Sequence, residues 1–150
     1  MTYKFLEHTA DIKIAVEESN LELAFVSSAL ALKEVILDFE KIKITSEKSR
    51  ILSLEGKDLE ELLYNFLEEF IYLLDAENFI ISEVEDIEIT GEVGKVFHLT
   101  AKILGDKASN YKFSNKVKAI TFNEMFVCEE KIGKSKASKS NFKIQFVLDV

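Results

Sequence analysis

Between Gly56 and Leu74 the apolar residues recur at the spacing of one helix face: Leu59, Leu62, Leu63, Phe66, Leu67, Phe70 and Leu74. Glu60, Glu61, Asn65, Glu68, Glu69 and Tyr72 take the remaining positions. Asp58 stands where a helix cap is needed, with Glu61 three residues on. A helix with so wide an apolar stripe has to be covered by another layer. A second helix begins in Ser19-Asn20-Leu21-Glu22, which reads as a capping box with the Ser19 hydroxyl as cap and Glu22 reaching back. It runs to about Leu37, with Leu21, Ala24, Phe25, Ser28, Ala31, Leu32 and Val35 on its inner face.

The rest of the chain has the two-residue period of strands. Residues 3–6 and 11–17 come first, and Ile12, Ile14 and Val16 alternate with Asp11, Lys13 and Ala15. A strand-prone stretch from Ile42 to Leu54 has a polar middle, Thr45–Arg50, that reads as a turn. Further strands are expected near 78–90, 95–104, 112–122, 124–130 and 142–149, with turns at Asp38–Lys41, Gly91–Gly94, Gly105–Asn110 and Ile132–Asn141. The order is strand, helix, strand, helix, then an antiparallel meander. Two helices can cover one face of such a sheet. The expected fold is α+β: a two-layer sandwich of two amphipathic helices on one face of a mostly antiparallel sheet. No repeat or linker divides the chain, so residues 1–150 form one domain.

Charge excludes one class of function. There are 27 acids against 19 bases, a formal charge of −8, so the surface as a whole does not grip phosphates. The charge is uneven. Thirteen acids and one base, Lys57, lie between Glu55 and Glu92, whereas five lysines and no acid lie between Lys131 and Lys143. No apolar run reaches the roughly 18 residues of a membrane span. The opening MTYKFLEHTAD does not read as a signal peptide. One cysteine, Cys128, allows no intrachain disulfide. A cytoplasmic location is the expectation.

Neither a glycine-rich phosphate loop, a Cys/His zinc pattern nor a nucleophile elbow is present. His8 and His98 have no ligand spacing, and His98 in mid-strand reads as structural. Cys128 reads as a buried, inert thiol. Two features break the pattern. Asp11 opens one strand and Asp149 closes the last, each on the polar parity, and Val150 follows with its carboxylate. If those strands are antiparallel neighbours, three carboxylates converge and repel one another. A hard divalent cation with all-oxygen ligands relieves that repulsion. The bland alternative is ordinary solvated acids. The second feature is Lys118, which shares parity with Ile120 and Phe122. A lysine on an apolar face snorkels out, pairs with an acid or works. No catalytic residue is assigned, and a binding or assisting role is at least as plausible as an enzymatic one.

Several segments, in order, resemble one family. Tyr3-Lys4-Phe5-Leu6-Glu7-His8-Thr9-Ala10-Asp11-Ile12 resembles the opening signature of the archeases, and Leu21–Phe25 their first helix. Gly56–Glu69 resembles their second helix, Val117–Thr121 their central strand, and Phe146–Val150 their closing segment. The resemblance implies an accessory protein, not an enzyme. Archeases assist the RtcB-type RNA ligase of tRNA splicing and RNA repair. They promote guanylylation of the ligase and its multiple turnover. The GTP belongs to the ligase. The resemblance places a divalent metal (calcium, magnesium or manganese) on Asp11, Asp149 and Val150, and partner-facing roles on Lys118 and Glu69. Lys118 would either hold the cluster through an ion pair or contact nucleotide phosphates.

The chain departs from the family pattern at Asn115-Lys116, where Thr-Glu is usual, and at Phe122-Asn123, where an aromatic-histidine pair is usual. Gly105-Asp106 replaces Gly-Glu, and Phe66 stands where tryptophan is common. The alternative function is a general chaperone-like binding module for RNA-modifying proteins. It would use the acidic helix face and the basic 131–143 loop, with the metal purely structural. Direct contact with RNA stays open on these residues.

Overall fold

The computed structural model describes residues 2–6, 11–114, 116–132 and 139–150. Its two helices are α1 (Leu21–Ile36) and α2 (Leu59–Glu77). α1 is capped by Asn20 rather than Ser19: the Asn20 Oδ1 accepts the Leu23 N–H at 2.8 Å. Asparagine caps as well as serine, so the sequence signal was right in kind and one residue off. α2 starts at Asp58, whose carboxylate accepts the Glu61 N–H at 2.8 Å. Glu61 in turn accepts the Lys57 N–H at 3.3 Å. α2 ends on Asn78 in the left-handed conformation, φ 54°, which asparagine tolerates better than most residues.

Among the described residues seven strands accompany the helices: β1 (Thr2–Leu6), β2 (Asp11–Glu18), β3 (Lys48–Gly56), β4 (Phe79–Thr90), β5 (Phe97–Lys107), β6 (Ala119–Ile132) and β7 (Lys139–Asp149). Every pairing is antiparallel. The α+β class with two helices packed on antiparallel sheet is therefore what the chain adopts. The strands divide into two sheets, ordered β1-β2-β7-β6 and β3-β5-β4. Strand parity reports which side chains face inward, and carries no information on which edges join.

Both helices pack against both sheets. α1 lies on β1, β2 and β7 and also on β4, while α2 lies on β6 and also on β3, β4 and β5. Contact with two sheets explains why α1 buries more than its expected stripe: Ser27, Ala29 and Ile36 are also inside. Phe25, Phe66 and Phe70 form the aromatic centre, with Phe66 5.7 Å from Phe25 and 4.9 Å from Phe70 between ring centroids.

Three expectations change. Cys128 is exposed, because Val127 rather than Cys128 takes the inward position at this point of β6. The expected loop at 105–110 is in part strand: β5 continues to Lys107 before a short 3-10 turn, Ala108–Asn110. Gly105 is required there by crowding, since a Cβ would stand 2.1 Å from the Ile80 carbonyl oxygen across the ladder. The expected strands 112–122 and 124–130 are one strand, β6, that begins only at Ala119. His98 sits on the solvent face of β5, with Nδ1 3.8 Å from a Glu55 carboxylate oxygen. Glu7–Ala10, Asn115 and the middle of the basic 131–143 loop lie outside the described residues.

Two polar details complete the frame. The side-chain amide of Asn65 donates to the Glu55 carbonyl at 2.8 Å, and Arg50 donates to the Ser49 carbonyl at 3.0 Å, along β3, an edge strand. Asp106 is 6% exposed, yet well satisfied. It accepts from the Tyr111 hydroxyl at 2.7 Å, the Thr45 hydroxyl at 2.8 Å and the Lys107 N–H at 2.8 Å. These bonds, led by Tyr111 and Thr45, pull its pKa down to about 2.

Candidate functional site

β2 and β7 are neighbours, and their register places Asp11 directly opposite Asp149. Residues so paired have Cβ atoms about 4.5–5.5 Å apart. Both side chains are half-buried. On the other side of β7, Ala119 of β6 faces Asp149, and the Lys118 N–H donates to the Asp149 carbonyl at 2.7 Å. Asp149 is thus fixed from both flanks. Val150 is half-buried and packs against the core. β6 begins at Ala119 because β7 reaches only to Asp149, so residues before 118 have no ladder to join.

Lys118 therefore precedes β6, with an exposed side chain, rather than sitting on an apolar strand face. Its place beside Asp149 is set by its backbone. Ile120 is buried as expected, but Phe122 is 54% exposed and stacks on Tyr64 of α2, with ring centroids 4.3 Å apart and planes at 13°. Glu69 lies on α2, and burial, with a smaller push from Glu77, raises its carboxyl pKa. The row of α2 that faces β6 passes instead through Glu60, which accepts the Val127 N–H at 3.2 Å, and Tyr64. Glu68 is one turn further along that row, with one carboxylate oxygen buried and without a hydrogen-bond partner.

The outward face beside the acid pair carries a feature that sequence reasoning missed. β6 and β7 are in register from Ala119 to Thr121, and again from Phe126. Between them, residues 122–125 oppose the single residue Phe146, a bulge. Glu124 at its apex has φ 58°, uncommon for a residue with a Cβ. It is gripped twice: Lys13 Nζ lies 3.1 Å from its carboxylate, and the Gln145 side chain donates to its carbonyl at 2.8 Å. Lys13 and Gln145 flank Val147, so the bulge roofs it. Val147 is 0% exposed, although it points to the outer side of its sheet. Lys13 was visible in sequence as a cation on the polar parity of Asp11. Its partner, more than a hundred residues away, was not.

The donors near the pair are oxygens, which suits a hard divalent cation. Among the described residues no three His, Cys, Asp or Glu side chains come together to hold a metal. The β2–β7 register itself brings together two side-chain carboxylates, Asp11 and Asp149. Two opposed carboxylates destabilise each other unless a positive charge stands near.

The sequence matches the archease protein family over residues 3–150. It is 32% identical over 150 residues to a protein archease of Methanosarcina barkeri, covering 99% of this chain and 95% of that one. It is 41% identical over 125 residues to a protein archease of Pyrococcus furiosus, covering 82% and 85%. The fold matches the solution structure of Methanobacterium thermoautotrophicum protein 1598 with a TM-score of 0.73 at 24% identity, over 99% of this chain and 98% of that one. With the family match over residues 3–150 and relatives 32% and 41% identical over most of its length, the chain belongs to the archease family.

Proposed function

We propose that this archease is an accessory protein of an RtcB-type RNA ligase in tRNA splicing and RNA repair, promoting guanylylation and repeated turnover of the ligase. The observation that carries the reading is the direct opposition of Asp11 and Asp149 at one end of the β1-β2-β7-β6 sheet. Asp11, Asp149 and the Val150 carboxylate would hold a divalent cation, which supplies neutralisation of phosphate charge. Calcium, magnesium and manganese all suit such donors. The β2–β7 ladder orients the two carboxylates, and the Lys118 N–H fixes the Asp149 backbone. The Lys118 ammonium, exposed next to the pair, is free to meet phosphate or an acidic group of the ligase. Glu69 faces the partner from α2 in this reading.

The test is single-turnover guanylylation of the cognate ligase with GTP, with and without this protein. Wild type is expected to speed adduct formation. Asp149→Ala, which removes a half-buried strand-end carboxylate, is expected to keep the fold and lose the stimulation by tenfold or more, on the order of 1.4 kcal/mol in the barrier. Full stimulation by a folded Asp149→Ala protein would refute the role.

A further inference from the structure

Among the described residues four strands stand at sheet edges: β1 and β6 in one sheet, β3 and β4 in the other. Three of them carry features that keep an edge from pairing with another chain. β1 has five residues. β6 is broken by the 122–125 bulge, and β4 by register shifts at 81–83 and 85–88, with Asp86 at φ 51°. β3 has none of these. Its nine residues pair with β5 in unbroken register from Lys48 to Gly56. In an antiparallel strand every second residue turns its N–H and C=O away from its neighbour. In β3 these are the odd-numbered residues, because the Ser49 and Glu55 carbonyls are the ones reached by the Arg50 and Asn65 side chains. Ile51 and Ser53 lie between them on the same parity. Among the described residues no strand or side chain takes their outward backbone groups. The Ile51 side chain is 75% exposed.

We propose that the open edge of β3 binds the same edge of a second copy of this chain, joining two three-stranded sheets into one continuous sheet. The segment is complementary to itself when reversed. It is basic at its start, with Lys48 and Arg50, and acidic at and beyond its end, with Glu55, Asp58, Glu60 and Glu61. A two-fold axis at Leu52 sets Ile51 opposite Ser53 of the second copy, and each such pair exchanges both backbone hydrogen bonds. The same register sets Ser49 opposite Glu55 and, one residue past the strand, Glu47 opposite Lys57. Neighbouring registers are worse. An axis at Ile51 sets Glu47 against Glu55, two like charges, and an axis at Ser53 sets the apolar Ile51 against Glu55. Ile51 loses exposed surface to the added strand, which supplies the apolar part of the contact. Arg50 does not block the edge, since its guanidinium lies over the Phe79 ring, 5.1 Å from the centroid. Each copy carries −8, so the pairing is weak and strengthens as salt screens that repulsion. A segment of another protein would have to match this order of charges, whereas a second copy supplies it by symmetry. The Asp11–Asp149 end belongs to the other sheet and takes no part.

The experiment is sedimentation equilibrium of the full chain in about 0.15 M salt, from roughly 20 μM to roughly 1 mM, with amide hydrogen exchange as a second readout. Wild type is expected to pass from monomer toward dimer across that range, with the Ile51 and Ser53 amides exchanging more slowly as concentration rises. Ile51→Lys changes an exposed side chain and is expected to raise the dimer Kd roughly tenfold or more. Ser53→Pro removes an outward N–H and no bond to β5, so it is expected to keep the far-ultraviolet signature and weaken the dimer to the same degree. Glu47→Lys is expected to raise the Kd about threefold, and adding Lys57→Glu to restore it, because the two residues face each other across the axis. A wild type that stays monomeric throughout would overturn the proposal. So would a dimer that Ile51→Lys and Ser53→Pro both leave unchanged, or Ile51 and Ser53 amides whose exchange ignores concentration. Failure of the charge swap to restore the Kd would overturn the pairing about Leu52.

Discussion

At the scale of single residues, the acids of this protein behave according to their donors. Asp106 is buried but surrounded by hydroxyls and an N–H, and its pKa falls to about 2. An unfolded aspartate titrates near 3.9. A depressed native pKa gives stability that is fully present above about pH 4 and lost as pH falls toward about 2. Asp106→Asn is therefore expected to be less stable than wild type at neutral pH, with the gap narrowing as urea midpoints are taken down from pH 7 to pH 2.5. Gly105 beside it is fixed by a contact rather than by its backbone. Gly105→Ala should cost about 2 kcal/mol or more, read from denaturant unfolding, because the Ile80 carbonyl cannot yield without breaking the ladder. The sequence showed neither cause. Asp106 read as part of a polar turn, and its partner Thr45 is sixty-one residues away.

At the scale of elements, local signals were the legible ones. α2 was readable almost to the residue, since its apolar period, its Asp58 cap and its Glu61 all act within a few residues. Asp58→Ala should lower stability by about 1 kcal/mol, measured by thermal unfolding. α1 was legible in extent but misread by one residue at its cap, where two adjacent capping residues compete. β6 was the least legible element. Alternation continues through residues 112–118, but pairing needs a partner strand, and β7 supplies none there. The bulge also reverses the reading of Phe122, which leaves the core to stack on Tyr64. Phe122→Ala should cost about 1 kcal/mol in stability and alter the near-ultraviolet signal of Tyr64, while α2 keeps its far-ultraviolet signature.

At the scale of the whole molecule, class and helix packing followed from periodicity, and the division into two sheets did not. The candidate site stands between these cases. Parity placed Asp11 and Asp149 on polar faces, and only the strand order β1-β2-β7-β6 makes them neighbours. Lys118 was singled out for the wrong geometric reason: its backbone, not an apolar strand face, brings it to Asp149. Because β2 lies between β1 and β7, the second strand of the chain has to wait for the last before it is paired on both sides. Closures between distant segments are slow steps in folding. A ribosome-bound chain that has not yet released β7 cannot assemble the acid pair. The end of the sheet that carries Asp11 and Asp149 is therefore completed last, and a translation product stalled before β7 would lack their juxtaposition.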